Sequence, residues 1–370
     1  MTPDGDELLS EDDIELPPAV VAAQATSPIS LTVEARAHGW RIDHYLGRLF
    51  PNHSRAQLQR IIESGGVQLN GLPPKSSRRL RVNDRLDVVL TDAERPGIDP
   101  EDLPLQILYE DQHFIVVNKA AGMVVHPGRG SSRGTLAAAL QFHFDQLSDT
   151  AGQLRPGIVH RLDRDTTGVI IIARDNQIHQ KISRQFEQRE VRKEYRAIVR
   201  GVPELASDYI RTFMCVHPRV REKMMVCPEG GNAREATTFY RTAESFGRFA
   251  LMDLHPKTGR THQLRVHMQH IATPIVADRL YIGTTELRKS DILQTQRPVP
   301  GSAEDISDVL IARQALHAFR LTLQHPVTGK EMTFEAPLPD DFLRTLEFLR
   351  THSRRNHNRS EEHTSELQSH

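Results

Sequence analysis

A chain of 370 residues has room for two or three folded units, and 38% hydrophobic with 26% charged residues is usual for a globular protein. No run approaches the roughly eighteen apolar residues of a membrane span, the opening Met1-Thr2-Pro3-Asp4 lacks a signal-peptide layout, and Cys215 and Cys227 form no CxxC pair. This excludes a helical membrane protein and a disulfide-stapled scaffold, and fits the reducing cytoplasm. The net charge of −1 conceals an asymmetry: residues 1–30 hold seven acids and no Lys or Arg, whereas 31–358 hold 46 basic against 38 acidic residues. A basic body with an acidic arm suits a polyanionic partner, although charge alone does not single one out.

Residues 1–30, acidic and then rich in Pro, Ala and Ser, have the composition of a disordered arm. Order is expected from Leu31, in a small domain reaching residue 92. Ile42, Leu46, Leu49 and Phe50 share one helical face, and Pro51 ends that helix. Ser54 with Gln57 forms a capping box for a second helix, whose buried stripe is Leu58, Ile61 and Ile62 and whose stop is Gly65-Gly66. Strand pattern follows at 67–71 and at Val82, Leu86, Val88 and Leu90. Arginine is dense throughout, at Arg41, Arg48, Arg55, Arg60, Arg78, Arg79, Arg81 and Arg85. Taken alone, such a run suits a solvated face as well as an RNA-binding one.

Residues 93–104, with three prolines and a glycine, read as a linker to a larger domain over 105–352. There the strands are predicted at 113–118, 168–173, 191–199, 237–242, 250–254, 320–323 and 331–334, with a helix over 176–190 marked by Ile178, Ile182 and Phe186. Many strands with few helices predict an α+β domain around a mainly antiparallel sheet. Dinucleotide and Walker loops and tandem repeats are absent. A polar tail, 353–370, closes the chain. Its last twelve residues resemble the translation of a sequencing-adapter oligonucleotide and are set aside.

Three segments place polar groups between apolar strands. In Gly157-Ile-Val-His-Arg-Leu-Asp-Arg-Asp-Thr-Thr-Gly168, Asp163 is a carboxylate on a loop beside His160, Arg161 and Arg164. It suits a nucleophile or base, yet equally an acid neutralised by nearby arginines. Tyr195, in Lys193-Glu-Tyr195, reads alone as a core aromatic. The run from His255 to His267 gathers Lys257, Arg260, His262 and Arg265, which suit phosphate contact or, for Arg265, pairing with a carboxylate. The 19 histidines raise the question of a metal, but His262, His267 and His270 are joined by no acidic or cysteine ligand cluster, so none is expected.

In this order and spacing the segments resemble the RluA/RluD-type family of pseudouridine synthases. The matching stretches are Val117–Pro127, Gly157–Gly168, Lys193–Tyr195, Thr258–His267 and Gln314–Ala318, and the likeness spans roughly 31–350. Two positions depart from the family pattern, Ala120 where proline is usual and Thr167 where serine is usual. The N-terminal domain is similar to the alpha-L RNA-binding motif of the fourth small-subunit ribosomal protein, which implies RNA contacts by Arg55, Arg60, Lys75, Arg78 and Arg79. The resemblance implies the pseudouridine synthase fold, with Asp163 as nucleophile, Tyr195 stacked on the target base and Arg265 paired with the aspartate. It further implies that His160, Arg161, Arg260 and His262 contact the RNA around a flipped uridine, with binding that weakens as salt rises.

The implied reaction exchanges a ribose–nitrogen bond for a ribose–carbon bond in uridine. It is redox-neutral, so no cofactor is expected. The implied partner is large-subunit ribosomal RNA, met by a cytoplasmic monomer away from membranes. Transfer RNA as substrate and a non-catalytic ribosome-assembly role are the rival readings, and an intact Asp163, Tyr195 and Arg265 argue against the second.

Overall fold

The computed structural model describes residues 28–50, 53, 55–90, 98–128, 133–152 and 154–352, apart from the side chains of 55–57 and 60. The chain divides into two compact units that part between Pro96 and Gly97. The acidic arm, the polar tail and the capping Ser54 lie outside the described residues.

The first unit contains β1 (Ile29–Thr32), α1 (Ile42–Leu49), α2 (Arg55–Glu63), β2 (Val67–Leu69) and β3 (Arg85–Val88). Its antiparallel sheet runs β1-β3-β2, so Leu86 is paired on one side with Leu31 and on the other with Leu69. The predicted apolar faces of both helices form the core: Ile42, Leu46 and Leu49 meet Leu58, Ile61 and Ile62. Burial of each such side chain contributes about 1.5–3 kcal/mol. Gly66 N–H caps α2 by donating to the Ile61 carbonyl at 2.8 Å. Asp43 is fully buried and accepts from the Arg41 guanidinium and from Gln59 Nε2, which ties the start of α1 to α2.

The second unit contains β4 (Gln106–Glu110), β5 (Phe114–Lys119), α3 (Leu136–His143), β6 (Thr167–Ala173), α4 (Asn176–Glu187), β7 (Arg192–Arg200), β8 (Ser207–Val216), β9 (Met224–Cys227), β10 (Arg234–Ser245), β11 (Phe249–Pro256) and α5 (Gln263–His270). It continues with β12 (Leu287–Arg288), α6 (Lys289–Leu293), α7 (Ala303–Asp308), β13 (Val309–Ile311), β14 (Leu316–Gln324), β15 (Glu331–Glu335) and a last helix over 340–352. Ten strands, among the described residues, make one sheet in the order β4-β5-β6-β14-β7-β11-β10-β8-β9, with β15 also on β14. Only β6 and β14 run parallel. The fold is therefore α+β around a mostly antiparallel mixed sheet, as the strand-rich pattern predicts.

Late in sequence but central in space, β14 inserts between β6 and β7. Close approach there requires a glycine. Gly168 has φ +113°, and a Cβ on it would lie 2.1 Å from the Ala318 carbonyl oxygen. Part of the predicted linker belongs to this unit: Ile98 is buried in the core with Leu136 and Leu140, and Glu101 N–H donates to the Ala138 carbonyl. The prolines suggested a free connector, but the apolar Ile98 finds a core to enter.

Candidate active site

Asp163 stands on the loop that leads into β6, and the loop is fastened from several sides. Lys119, at the end of β5 and 1% exposed, extends Nζ to the carbonyls of Ala120, Met123 and Arg164 at 2.7–2.9 Å. Burial lowers the Lys119 pKa to about 7, against the pull of Asp165 and Asp163. From the approach to β14, Gln314 donates to Thr166 Oγ1 at 2.7 Å, and His317 Nδ1 lies 2.8 Å from Thr167 Oγ1. The Thr166 N–H donates to the Asp163 carbonyl and completes a turn.

Arg265 comes from α5, a helix buried from Gln263 to Met268, in which the polar Gln263, Arg265 and His267 alternate with the apolar Leu264, Val266 and Met268. Its Nη1 donates to Asp163 Oδ2 at 3.0 Å. The remaining edge is taken by Asp278, which accepts from Nε at 2.7 Å and from Nη2 at 2.8 Å. This bidentate fork fixes the plane of the guanidinium and leaves Nη1 to face Asp163. Burial opposes the charge on Arg265, but Asp278 and Asp163 outweigh it and hold its pKa above the ordinary value. The Tyr281 ring lies beneath, 4.9 Å from the guanidinium carbon. Tyr281 hydroxyl oxygen is 3.0 Å from His262 Nδ1 and accepts from the Met224 N–H at 3.1 Å. His262 in turn places Nε2 4.0 Å from Asp163 Oδ2, and burial lowers its pKa, which Asp163 only partly opposes.

Tyr195 lies on β7 in register with Ala318 of β14, and packs against two core clusters while its ring borders the site. Burial, reinforced by Asp163, raises its phenol well above the usual value, so it is neutral near pH 7. Asp163, Tyr195 and Arg265, which are scattered in sequence, border one cleft of about 490 Å³ together with His160, Arg161, Arg260 and His262. Such a volume accommodates a nucleoside-sized group.

Arg161 and Arg260 are exposed at the cleft, and Arg260 is steadied by its Nε bond to the Glu235 carbonyl at 2.9 Å. His160 departs from its expected RNA contact. Its Nε2 accepts the Ile171 N–H at 3.0 Å, its ring stacks on Phe186, and burial with the adjacent Lys193 pushes its pKa down to about 3. A neutral imidazole spent on a backbone amide holds the loop against β6 and offers no cation to phosphate. In the first unit Lys75, Arg78 and Arg79 are exposed, and Arg79 Nη1 donates to the Gly39 carbonyl. Arg55 and Arg60 lie on α2, with side chains outside the described residues.

Asp278, Tyr281 and Lys119 contact Arg265 or the Asp163 loop, and the residue pattern assigns them no role. Lys119 stood inside a recognised stretch without a task. Asp278 and Tyr281 follow an unremarkable apolar run, Pro274-Ile-Val-Ala277, and only the tertiary fold turns them toward Arg265.

Comparison with known proteins agrees with this geometry. Residues 113–270 match the family model described as RNA pseudouridylate synthase, and residues 40–90 match the S4 domain. The chain is 42% identical over 316 residues to an uncharacterised RNA pseudouridine synthase of Chlorobaculum parvum, covering 84% of this chain and 94% of the relative. It is 37% identical over 325 residues to the ribosomal large subunit pseudouridine synthase D of Pasteurella multocida, covering 87% and 95%. The enzyme of the same name from Escherichia coli O157:H7 is 35% identical, again over 325 residues, covering 87% and 94%. With a cleft that unites Asp163, Tyr195 and Arg265, and with relatives matched along nearly their whole length, the chain belongs to the RNA pseudouridine synthase family, in which its S4 domain precedes the synthase domain.

Proposed function

We propose that this protein isomerises uridine to pseudouridine in large-subunit ribosomal RNA, with Asp163 as the nucleophile. The observation that carries the reading is the Asp163 carboxylate, aimed into the cleft by an arginine that Asp278 holds rigid. The substrate assignment draws on the printed names of the relatives from Pasteurella and Escherichia.

A uridine turned out of its stack enters the cleft, at a cost of a few kcal/mol that is smallest in loops and single strands. Tyr195 supports the base from the sheet by stacking. Attack by Asp163, at the ribose C1′ or at C6 of the base, opens the way to cleavage of the C1′–N1 bond. The uracil turns, C1′ bonds to C5, C5 gives up its proton and N1 gains one. Electrons balance without an oxidant or reductant, so the reading requires no cofactor. Arg161 and Arg260 hold the flanking backbone, and Lys75, Arg78 and Arg79, with Arg55 and Arg60, give the S4 domain its own RNA contacts. We place this activity in the cytoplasm and assign it to a monomer.

The test maps pseudouridines chemically in ribosomal and transfer RNA from cells with and without the gene, then complements the deletion with wild-type protein or Asp163→Ala. Specific large-subunit sites should vanish in the deletion and return only with the wild type. Persistence of every site, or rescue by the alanine variant, defeats the catalytic reading. Loss confined to transfer RNA moves the substrate there.

A further inference from the structure

Two of the cations that line the cleft are held by protein acceptors. Arg265 is committed to Asp278 and Asp163, and Arg260 to the Glu235 carbonyl. Lys193 is not held in this way, and unlike the exposed Arg161, Arg189 and Lys257 it is half-buried. It lies on β7 two residues before Tyr195, so both side chains leave the same face of the strand, about 7 Å apart along it. The ammonium borders the cleft, 6.0 Å from the Phe186 ring centre and beside His160. Across from it stands Gly259, where even a Cβ would lie 4.0 Å from Nζ, so no side chain shields the ammonium on that side. Among the described residues Lys193 Nζ has neither a hydrogen-bond acceptor nor a carboxylate partner. Burial lowers its pKa, and no acid on the protein offsets this. An ammonium drawn partly out of water without an acceptor is unfavourable, and such groups are normally paired. The ammonium is open on the cleft side, where an anion bound in the cleft would supply the acceptor.

We propose that Lys193 grips a nonbridging phosphate oxygen of the nucleotide whose base rests on Tyr195. This rests on the isomerase reading of the cleft. The separation between Lys193 and Tyr195 along β7 is comparable with the reach from a base to the phosphate of its own nucleotide. Lys193 thus fixes the backbone at the flipped position, whereas Arg161 and Arg260 meet the strand farther out.

The experiment uses the full chain and a uridine-containing RNA stem–loop that it modifies, with wild type, Lys193→Met and Lys193→Arg. The Met variant should raise KM about tenfold, leave kcat near the wild-type value, and lessen the salt dependence of binding by about one phosphate contact. The Arg variant should recover most of the affinity. Neutral methylphosphonates placed one at a time along the RNA should then reveal a single position that weakens wild type about tenfold but does not weaken Lys193→Met further. If the Met variant fails to fold by circular dichroism, Lys193→Gln takes its place in the cycle. A fall in kcat with unchanged KM would mean that Lys193 serves the reacting base, and would overturn the proposal, as would methylphosphonates that act equally on both proteins. Wild type inactive on every RNA would bring down the isomerase reading and this proposal with it, whereas an active enzyme indifferent to Lys193→Met would bring down this proposal alone.

Discussion

Arg265 cannot act on Asp163 with a fixed geometry unless something fixes Arg265, and that task falls to Asp278. Asp278 is 1% exposed and takes the Nε and one Nη2 N–H of the guanidinium, so it orients Nη1 toward Asp163. Asp278→Asn preserves volume but replaces one of the two acceptors with a donor. The guanidinium should tilt, and because small misplacements of reacting groups are costly, kcat should fall about 10- to 100-fold with KM little changed. Single-turnover kinetics on a uridine-containing stem–loop would measure this, with circular dichroism to confirm folding; an unaffected kcat would remove Asp278 from the positioning role. Tyr281→Phe loses a lighter contact, the hydroxyl that meets His262 Nδ1 and Met224 N–H. Its rate should drop by a factor equivalent to about 1 kcal/mol, or roughly fivefold, which the same assay would resolve.

At the scale of elements, the site depends on β14 lying tightly against β6. The Gly168→Ala methyl group would meet the Ala318 carbonyl at 2.1 Å, and backbone there has no flexible end to move aside. The substitution should destabilise the synthase domain by at least about 3 kcal/mol, visible as a lower urea midpoint or insoluble expression, and a variant as stable as wild type would contradict the pairing. The strands of the inner sheet were legible because β5 and β6 are almost wholly apolar and read as buried strands. Neither β8 nor α5 was legible. Along β8, Ser207-Asp-Tyr-Ile-Arg-Thr-Phe-Met-Cys-Val216 buries only Ile210 and Met214, so alternation is faint. In α5 all six residues from Gln263 to Met268 are buried, polar alternating with apolar, so no apolar stripe at helical spacing marks it in the sequence. The motif residues themselves were readable, but their partners were not. Asp163 and Arg265 stand out by spacing, while Asp278 has nothing in its neighbours to mark it.

Across the whole molecule, acid should be felt through buried imidazoles. Burial lowers His126, His267 and His317 to about 4 and His160 to about 3. An unfolded histidine titrates near 6.5, so between about 4 and 6.5 the unfolded chain binds more protons than the native one. Stability is therefore complete above about pH 6.5 and is lost as pH falls toward 4. Urea melts at successive pH values should show unfolding coupled to uptake of up to about four protons near pH 5, and replacing His267 with Gln should remove about one. A stability that stays flat from pH 6.5 to 5 would contradict this burial. The position of β14 carries one more consequence, which concerns time. A ribosome makes the chain from its N-terminus, yet the strand between β6 and β7 is encoded at Leu316–Gln324, after α5 and nearly all the site residues. Until that segment has left the exit tunnel, the two halves of the sheet have no shared edge, and Gly168 and Tyr195 have no strand between them. The sheet that carries the site is thus incomplete through most of the chain's own synthesis, and it closes only when one of its last strands arrives.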